Sequence, residues 1–451
     1  MSAKKTDALK QKFLTISIVF TVLNAVLLLA LARNTKLSHQ EKIEYGNQGL
    51  TTTATLFLGL AVMMNAYYSA KGAASKEKSA IATQKSNEIA ARNAQLLEDK
   101  LMNERLMCGI TQLGHKEIAT RMGAIYALEK VAQNSVEEYL TVMEIISAFV
   151  RENAPLKSKN QELIDDDEPP SIRSDIQAAL TAIGRCNFPG DIENQQSNYK
   201  LDLHNTDLRW ANLREANLQQ IDFRGANLQG ANLQGANLRK ANLELSILTG
   251  TVLVEADLTE CNLPEANLSG ANLNKACLCR ANLHSANLTS ASLRAANCTD
   301  ANLYKANLQQ ANLKVANLSG AKLFLANLQG AKLNKAKLNG TGLIGANLQQ
   351  ANLNGANLHG ANLNAAKLQN TEVFFANLAS ASLREANLYG ANLMGANLQK
   401  AILNEANLDT ANLIGANLNE TNLNQVKLDG AILTGAKNLK PQQLKMASGE
   451  F

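Results

Sequence analysis

Aromatic residues make up only 4% of this 451-residue chain, which has one Trp and six Pro. Ordinary globular cores lean on aromatic rings for buried volume, so smaller residues must do the packing here. The six Cys (Cys108, Cys186, Cys261, Cys277, Cys279 and Cys298) show no paired spacing that suggests a disulfide framework, which points to a reducing compartment. The five His, at positions 39, 115, 204, 284 and 359, are scattered. Glycine occurs 27 times, yet nowhere with the spacing of a phosphate-cradling loop. Cys277 and Cys279 flank Leu278 with no His or third Cys at ligand spacing, which argues against a metal site. These absences leave no catalytic constellation and imply no cofactor.

One stretch also lacks acids. Between Asp300 and Glu372 there are seven Lys (Lys305, Lys314, Lys322, Lys332, Lys335, Lys337 and Lys367) and neither Asp nor Glu. Leu201 to Lys440 carries 20 Lys and Arg against 16 Asp and Glu, a net of 20 − 16 = +4, within a chain of formal charge +5.

What is present is a period of five. From Leu203 to Leu433 a large apolar residue returns at every fifth position, (433 − 203)/5 + 1 = 47 times, with only Phe223, Cys298 and Val373 replacing Leu. Two residues before it sits a small residue, Ala in all but ten repeats, and Asn usually lies between. On an α-helix this period scatters Leu around the axis. In extended chain the Ala and Leu point one way and the Asn the other, but an odd period flips the next Leu unless the chain turns a corner. The expected structure is a solenoid of very short strands, with Ala and Leu inside and the other three positions outside. The recurring Asn is expected to stack on its copy one coil away as an amide ladder.

The pattern, as in Ala231-Asn232-Leu233-Gln234-Gly235 and Ala391-Asn392-Leu393-Met394-Gly395, resembles the pentapeptide-repeat family. That resemblance implies a right-handed quadrilateral β-helix with four pentapeptides, or twenty residues, per coil. About twelve coils at strand spacing would then reach roughly 55–60 Å. Some soluble members of the family are dimeric, acidic mimics of DNA that bind DNA gyrase. A net positive repeat region has the wrong sign for a polyanion mimic, so a DNA-linked or gyrase-directed regulator is the second reading and not the first.

Ahead of the repeats, residues 13–32 form a nearly unbroken apolar run without charge, long enough to span a bilayer. A second run, 50–68, is diluted by Thr51, Thr52, Thr53 and Thr55 and ends on Tyr67 and Tyr68, placed as an interfacial belt would be. The first run has a competing reading as a cleaved signal peptide, since Lys4, Lys5, Lys10 and Lys12 precede it and Ala30-Leu31-Ala32 imitates a cleavage site. Its length favours a retained anchor. Lys71, Lys76, Lys78 and Lys85 follow the second run, against Arg33, Lys36 and Lys42 between the two. That bias places both ends inside. The expectation is a multi-pass protein of a bacterial inner (or internal) membrane, with the repeats cytoplasmic.

The expected division is an anchor over 1–70, a helical region over 71–185 and a repeat region over 186–451. Lys71 to about Leu113 is rich in strong helix formers and reads as a long amphipathic helix. Its apolar stripe can be a coiled-coil seam of a homo-oligomer or a face that packs on the helices that follow. Three shorter helical patterns come next: Ile118 to Val131, Val136 to Val150, and Ile172 to Ile183. The run from Glu117 to Val131, with Arg121 early and Ala-rich packing after it, resembles one helix of a HEAT or armadillo repeat. Asp165-Asp166-Asp167-Glu168 reads as a solvated loop. Cys186 to Lys200 is expected to cap the open start of the solenoid, and a short helix from Pro441 its far end.

Function is expected on the outer surface. Tyr304, Phe324 and Ile344 follow stacked Leu residues on one face, and Phe374, Met394 and Ile414 do so on the opposite face. Exposed apolar ladders of this kind suggest contact with a protein partner, although stacked aromatics can equally serve neighbouring coils. Gln309, Gln329, Gln349 and Gln369 read as a solvated ladder on a third face. The lysine belt spreads over all four faces, which argues against focused nucleic-acid binding. The resulting expectation is a non-catalytic, membrane-tethered scaffold or adaptor, with two spans and an unidentified protein partner.

Overall fold

The structure, a computed structural model, describes residues 2–156, 171–185 and 200–442. The acidic segment 165–168, residues 186–199 of the expected cap, and residues 443–451 lie outside the described residues. The chain divides into two compact units, Met1–Lys100 and Leu101–Phe451.

In the first unit, α1 (Ser2–Arg33) and the start of α2 (His39–Leu113) form a hairpin. Ser38 caps α2 reciprocally: its backbone N–H and its hydroxyl both reach the Glu41 carboxylate, at 2.9 and 2.8 Å. Phe20 meets Phe57 edge to face at 5.6 Å, and the Thr53 hydroxyl donates to Asn24 Oδ1 at 2.8 Å. Little else of this apolar sequence is covered: Leu14, Leu23, Leu29, Leu58 and Met63 are 60–69% exposed. The second apolar run and the amphipathic stretch are one uninterrupted 75-residue helix. Residues 71–101 are exposed throughout, whereas Met102, Leu106 and Leu113 at the end of the same helix join a buried core.

In the second unit, α3 (Ile118–Asn134), α4 (Val136–Asn153) and α5 (Ser174–Arg185) bury Ile125, Leu128, Met143, Ile146, Ile176 and Leu180 against one another. Asp175 locks them together. It is fully buried, accepts from Arg121 Nε on α3 at 2.7 Å and ion-pairs with Arg173 at 2.6 Å. Arg173 also donates to the Asn153 carbonyl at the end of α4. Burial pushes the Asp175 carboxyl up, but the two guanidinium groups outweigh it and hold it below its usual value.

Residues 201–437 then wind through parallel single-residue bridges between positions twenty apart, from Asp202↔Asp222 to Asn417↔Lys437. The inward Leu residues from 203 to 428 are at most 3% exposed. One repeat shows how the backbone is satisfied. Asn302 N–H donates to Ala281 O in the coil before; Leu303 and Lys305 N–H donate to Lys322 O and Phe324 O in the coil after. Ala306 N–H turns back to Leu303 O, and the remaining donor, Tyr304 N–H, goes to Asn302 Oδ1. The Asn side chain thus closes the corner within its own repeat. It also joins the expected ladder: Asn302, Asn282, Asn262 and Asn242 link amide to amide at 2.9–3.0 Å. Polar residues at the Ala position find partners too, as Thr251 does by donating to Leu248 O at 2.7 Å.

The helical layer covers the first coil. Asp207 N–H donates to Ala154 O at the end of α4, Leu156 N–H to Asn205 O, and Asn217 N–H to Gly184 O at the end of α5. Gly184 is needed there, because a Cβ at that position would meet Ala216 Cβ at 2.6 Å. The cap expected from the Cys186–Lys200 stretch alone is therefore supplied at least in part by α4 and α5, whose unpaired carbonyls (Ala154, Gly184) meet the open strand edge.

Candidate interaction surface on the repeat stack

Three positions of each repeat face out, and they are not equivalent. The Asn position and the one after Leu are mostly half-buried between coils, while the next is mostly exposed. That last position has positive φ throughout the stack, as at Lys305 (φ 56), Leu325 (φ 59) and Phe375 (φ 53). Glycine therefore recurs there.

The first expected ladder is a packed column. Tyr304 stacks on His284 with ring planes 5° apart and centroids 5.3 Å apart, and Lys305 Nζ sits 5.2 Å from the Tyr304 centroid. Phe324 lies across Gly342, where a Cβ would come within 2.5 Å of its ring. Ile344 is 38% exposed. In the opposite column Phe374 and Met394 are half-buried, and Ile414 is 36% exposed. Phe374 meets Phe375 at 4.2 Å and 61°. The larger apolar exposures are elsewhere: Phe375 at 65%, Leu245 at 57%, Leu325 at 52%, Val315 and Tyr389 at 47%. Period alone did not single these out, because it does not distinguish the two positions after Leu. At Phe375, Leu245, Leu325 and Val315 the local signal was a bulky residue at the position where Gly recurs, whereas Tyr389 directly follows Leu388. Phe375 lies over Gly395 and Leu325 over Gly345 in just this way. Gln309, Gln329, Gln349 and Gln369 are half-buried rather than solvated.

All seven belt lysines are exposed. Four of them, Lys322, Lys332, Lys337 and Lys367, occupy the Asn position. An ammonium has no acceptor, so each gives up the corner-closing bond that Asn makes. Where Ser292, Glu372 and Ser382 stand at that position, an Asn of the preceding coil takes over: Asn274, Asn354 and Asn364 accept from the N–H of Arg294, Phe374 and Arg384. Other charges pair locally, as Glu255 does with Lys275 at 2.7 Å. Among the described residues no group of three or more His, Cys, Asp or Glu is placed to hold a metal ion.

A stack of near-identical coils with buried Ala and Leu defines a repeat protein whose variable surface is its exterior. The chain belongs to the pentapeptide-repeat family: a profile described as pentapeptide repeats matches repeatedly, over 202–244, 246–284, 281–320, 301–340, 343–373, 374–409 and 406–437. It is similar to HetL, a pentapeptide repeat protein involved in heterocyst differentiation regulation from the cyanobacterium Nostoc sp. strain PCC 7120. That likeness is 37% identical over 53% of this chain and 96% of that one, with a TM-score of 0.20. Rfr23, a pentapeptide repeat protein from the cyanobacterium Cyanothece 51142, is 31% identical over 32% of this chain and 63% of its own, with a TM-score of 0.11. QnrB1, a plasmid-mediated fluoroquinolone resistance protein, is 16% identical over 54% of this chain and 91% of its own, with a TM-score of 0.23. No curated protein sequence matches the chain.

Proposed function

We propose that this protein is a non-catalytic scaffold or adaptor, tethered to a bacterial inner or internal membrane, whose right-handed quadrilateral β-helix offers its outer columns to a protein partner in the cytoplasm. The observation that carries the reading is the helical hairpin. α1 and α2 are each long and apolar enough to cross a membrane, and none of the apolar window in either is buried. Water would penalise that surface at about 25 cal/mol per Å², whereas lipid would not. Both spans then cross, and the Lys-rich flanks keep both ends inside.

The adaptor half of the proposal rests on the exterior of the stack. Short coils hold Tyr304, Phe324, Leu325 and Ile344 in fixed register on one face, with Lys305 and Lys322 beside them. Rigid aromatic and aliphatic side chains with a cationic rim suit recognition of another protein, because little side-chain freedom is lost on binding. The charge of this region opposes the DNA-mimic alternative. The test uses the full chain in detergent, cross-linked in its native membrane before capture. Changing Tyr304, Phe324 and Ile344 together to Ser should remove at least one partner that the unchanged chain retains; identical partner sets would remove this face from the proposal. Digestion of the stack by protease added to the outer side of sealed vesicles would overturn the cytoplasmic placement.

A further inference from the structure

The outward positions on either side of an inward Leu are brought together in every coil. Where the second carries a hydroxyl, it can bond the first, as Thr289 does to Asn287 and Thr299 to Asn297, both at 2.6 Å. Arg209 reaches Asp207 in the same way, and His204 reaches Asp202. At one repeat both positions are cysteine. Cys277 Sγ and Cys279 Sγ lie 3.2 Å apart across Leu278, and both residues are partly exposed. Bond formation at about 2.05 Å therefore needs a movement of only ~1.2 Å. Thr259, in the preceding coil, lies 3.2 Å from Cys277 Sγ. Cys261 and Cys298, by contrast, are buried.

We propose that Cys277 and Cys279 form a reversible dithiol–disulfide centre on the outer surface of the stack, oxidised by exchange with a diffusible low-molecular-weight disulfide. The Cys277 thiolate attacks one sulfur of that disulfide; the S–S bond breaks, and one thiolate leaves and takes up the proton lost from Cys277. The Cys279 thiolate then attacks Cys277 Sγ in the mixed disulfide, forming the internal S–S bond and expelling the second thiolate, which takes up the proton from Cys279. The pair loses two electrons and two protons, and the incoming disulfide becomes two thiols. The order follows from the surroundings. Burial and the nearby Asp257 carboxylate push the Cys277 thiol up, but hydrogen bonding with Thr259 and Cys279 outweighs them and leaves the thiol below its ordinary value. Burial and the neighbouring Cys277 push Cys279 up to about 11, so Cys277 is the better first nucleophile and Cys279 the resolving thiol.

The proposal is tested on the full chain in detergent, equilibrated with graded ratios of oxidised to reduced glutathione and quenched with N-ethylmaleimide. Trypsin cuts after Lys275 and Arg280, releasing Ala276–Arg280 with both thiols in one peptide. As the ratio rises, that peptide should appear unalkylated and lighter by two hydrogens, and dithiothreitol should reverse it. This should occur at a ratio on the order of tenfold below that which loads glutathione onto the exposed, single Cys108, because the second step is intramolecular. Cys279→Ser should halt the reaction as a glutathione adduct on Cys277. Alkylation of both thiols at every ratio would overturn the proposal, as would separate glutathione adducts on both without the internal bond.

Discussion

Leucine has opposite fates in the two units of this protein. In the hairpin, Leu23 and Leu29 are each 60% exposed; in the stack, Leu228 and Leu333 are fully buried. The backbone explains the difference. A helix satisfies its own hydrogen bonds, so its side chains can face any solvent that suits them, lipid included. A pentapeptide coil has none of that independence, since most of its N–H groups are answered by the coil before or after. Fixing five residues costs about 5–10 kcal/mol of backbone entropy, while burying one Leu returns about 1.5–3 kcal/mol. Only stacking closes that gap. The hairpin's leucines therefore report on the solvent around the protein, and the stack's leucines on the protein itself.

The sharpest way to break this contrast is to put a charge where the stack demands Leu. Leu333→Asp should destabilise the stack by more than about 4 kcal/mol, since a carboxylate replaces a fully buried side chain, and denaturant melting of the repeat signal would show it. Asp175→Asn should cost about 3 kcal/mol in the helical layer, because Arg121 and Arg173 lose their buried counter-charge. The sign of the pH effect follows from the same pair. The folded carboxyl lies below its unfolded value, so its stabilisation is complete above the unfolded value of about 3.9 and is lost as pH falls through the folded one. Asp175→Asn should flatten that acid limb.

Smaller changes sharpen the role of Asn. Lys337→Asn should raise stability by about 0.5–1.5 kcal/mol, because it restores a corner-closing acceptor and rejoins the amide column at Asn317 with the one running from Asn357 to Asn417. A fall in the denaturation midpoint would show that the lysine itself is stabilising. Gln349→Ala, outward and beside an intact Asn347, should change stability by less than about 0.5 kcal/mol.

The burial pattern of the stack was readable because each repeat restates the same constraint, so Ala and Leu at fixed spacing leave one arrangement that keeps both inside. The starts of α3 and α4 were legible from apolar spacing, and Ser135 marks the latter by accepting from Glu138 N–H. Less visible were contacts between residues far apart in sequence. Nothing local in Asp175 announces Arg121, and nothing in Gly184 announces Ala216. The division of labour among the outward positions was also hidden: Phe374 and Phe375 are adjacent aromatics, yet one is half-buried and the other 65% exposed. That difference is set by a positive φ, which a single bulky residue does not advertise. The lysine belt was legible as composition, but not as a set of lost corner bonds.

The tether is the claim on which the functional account stands, and extraction of native membranes tests it most directly. Membranes holding the full chain would be washed with high salt, then with alkaline carbonate, then with detergent. The account predicts that the protein stays in the pellet through both washes and is released only by detergent. Release by salt or carbonate would contradict it, and would mean that the exposed leucines of α1 and α2 are covered by protein rather than lipid.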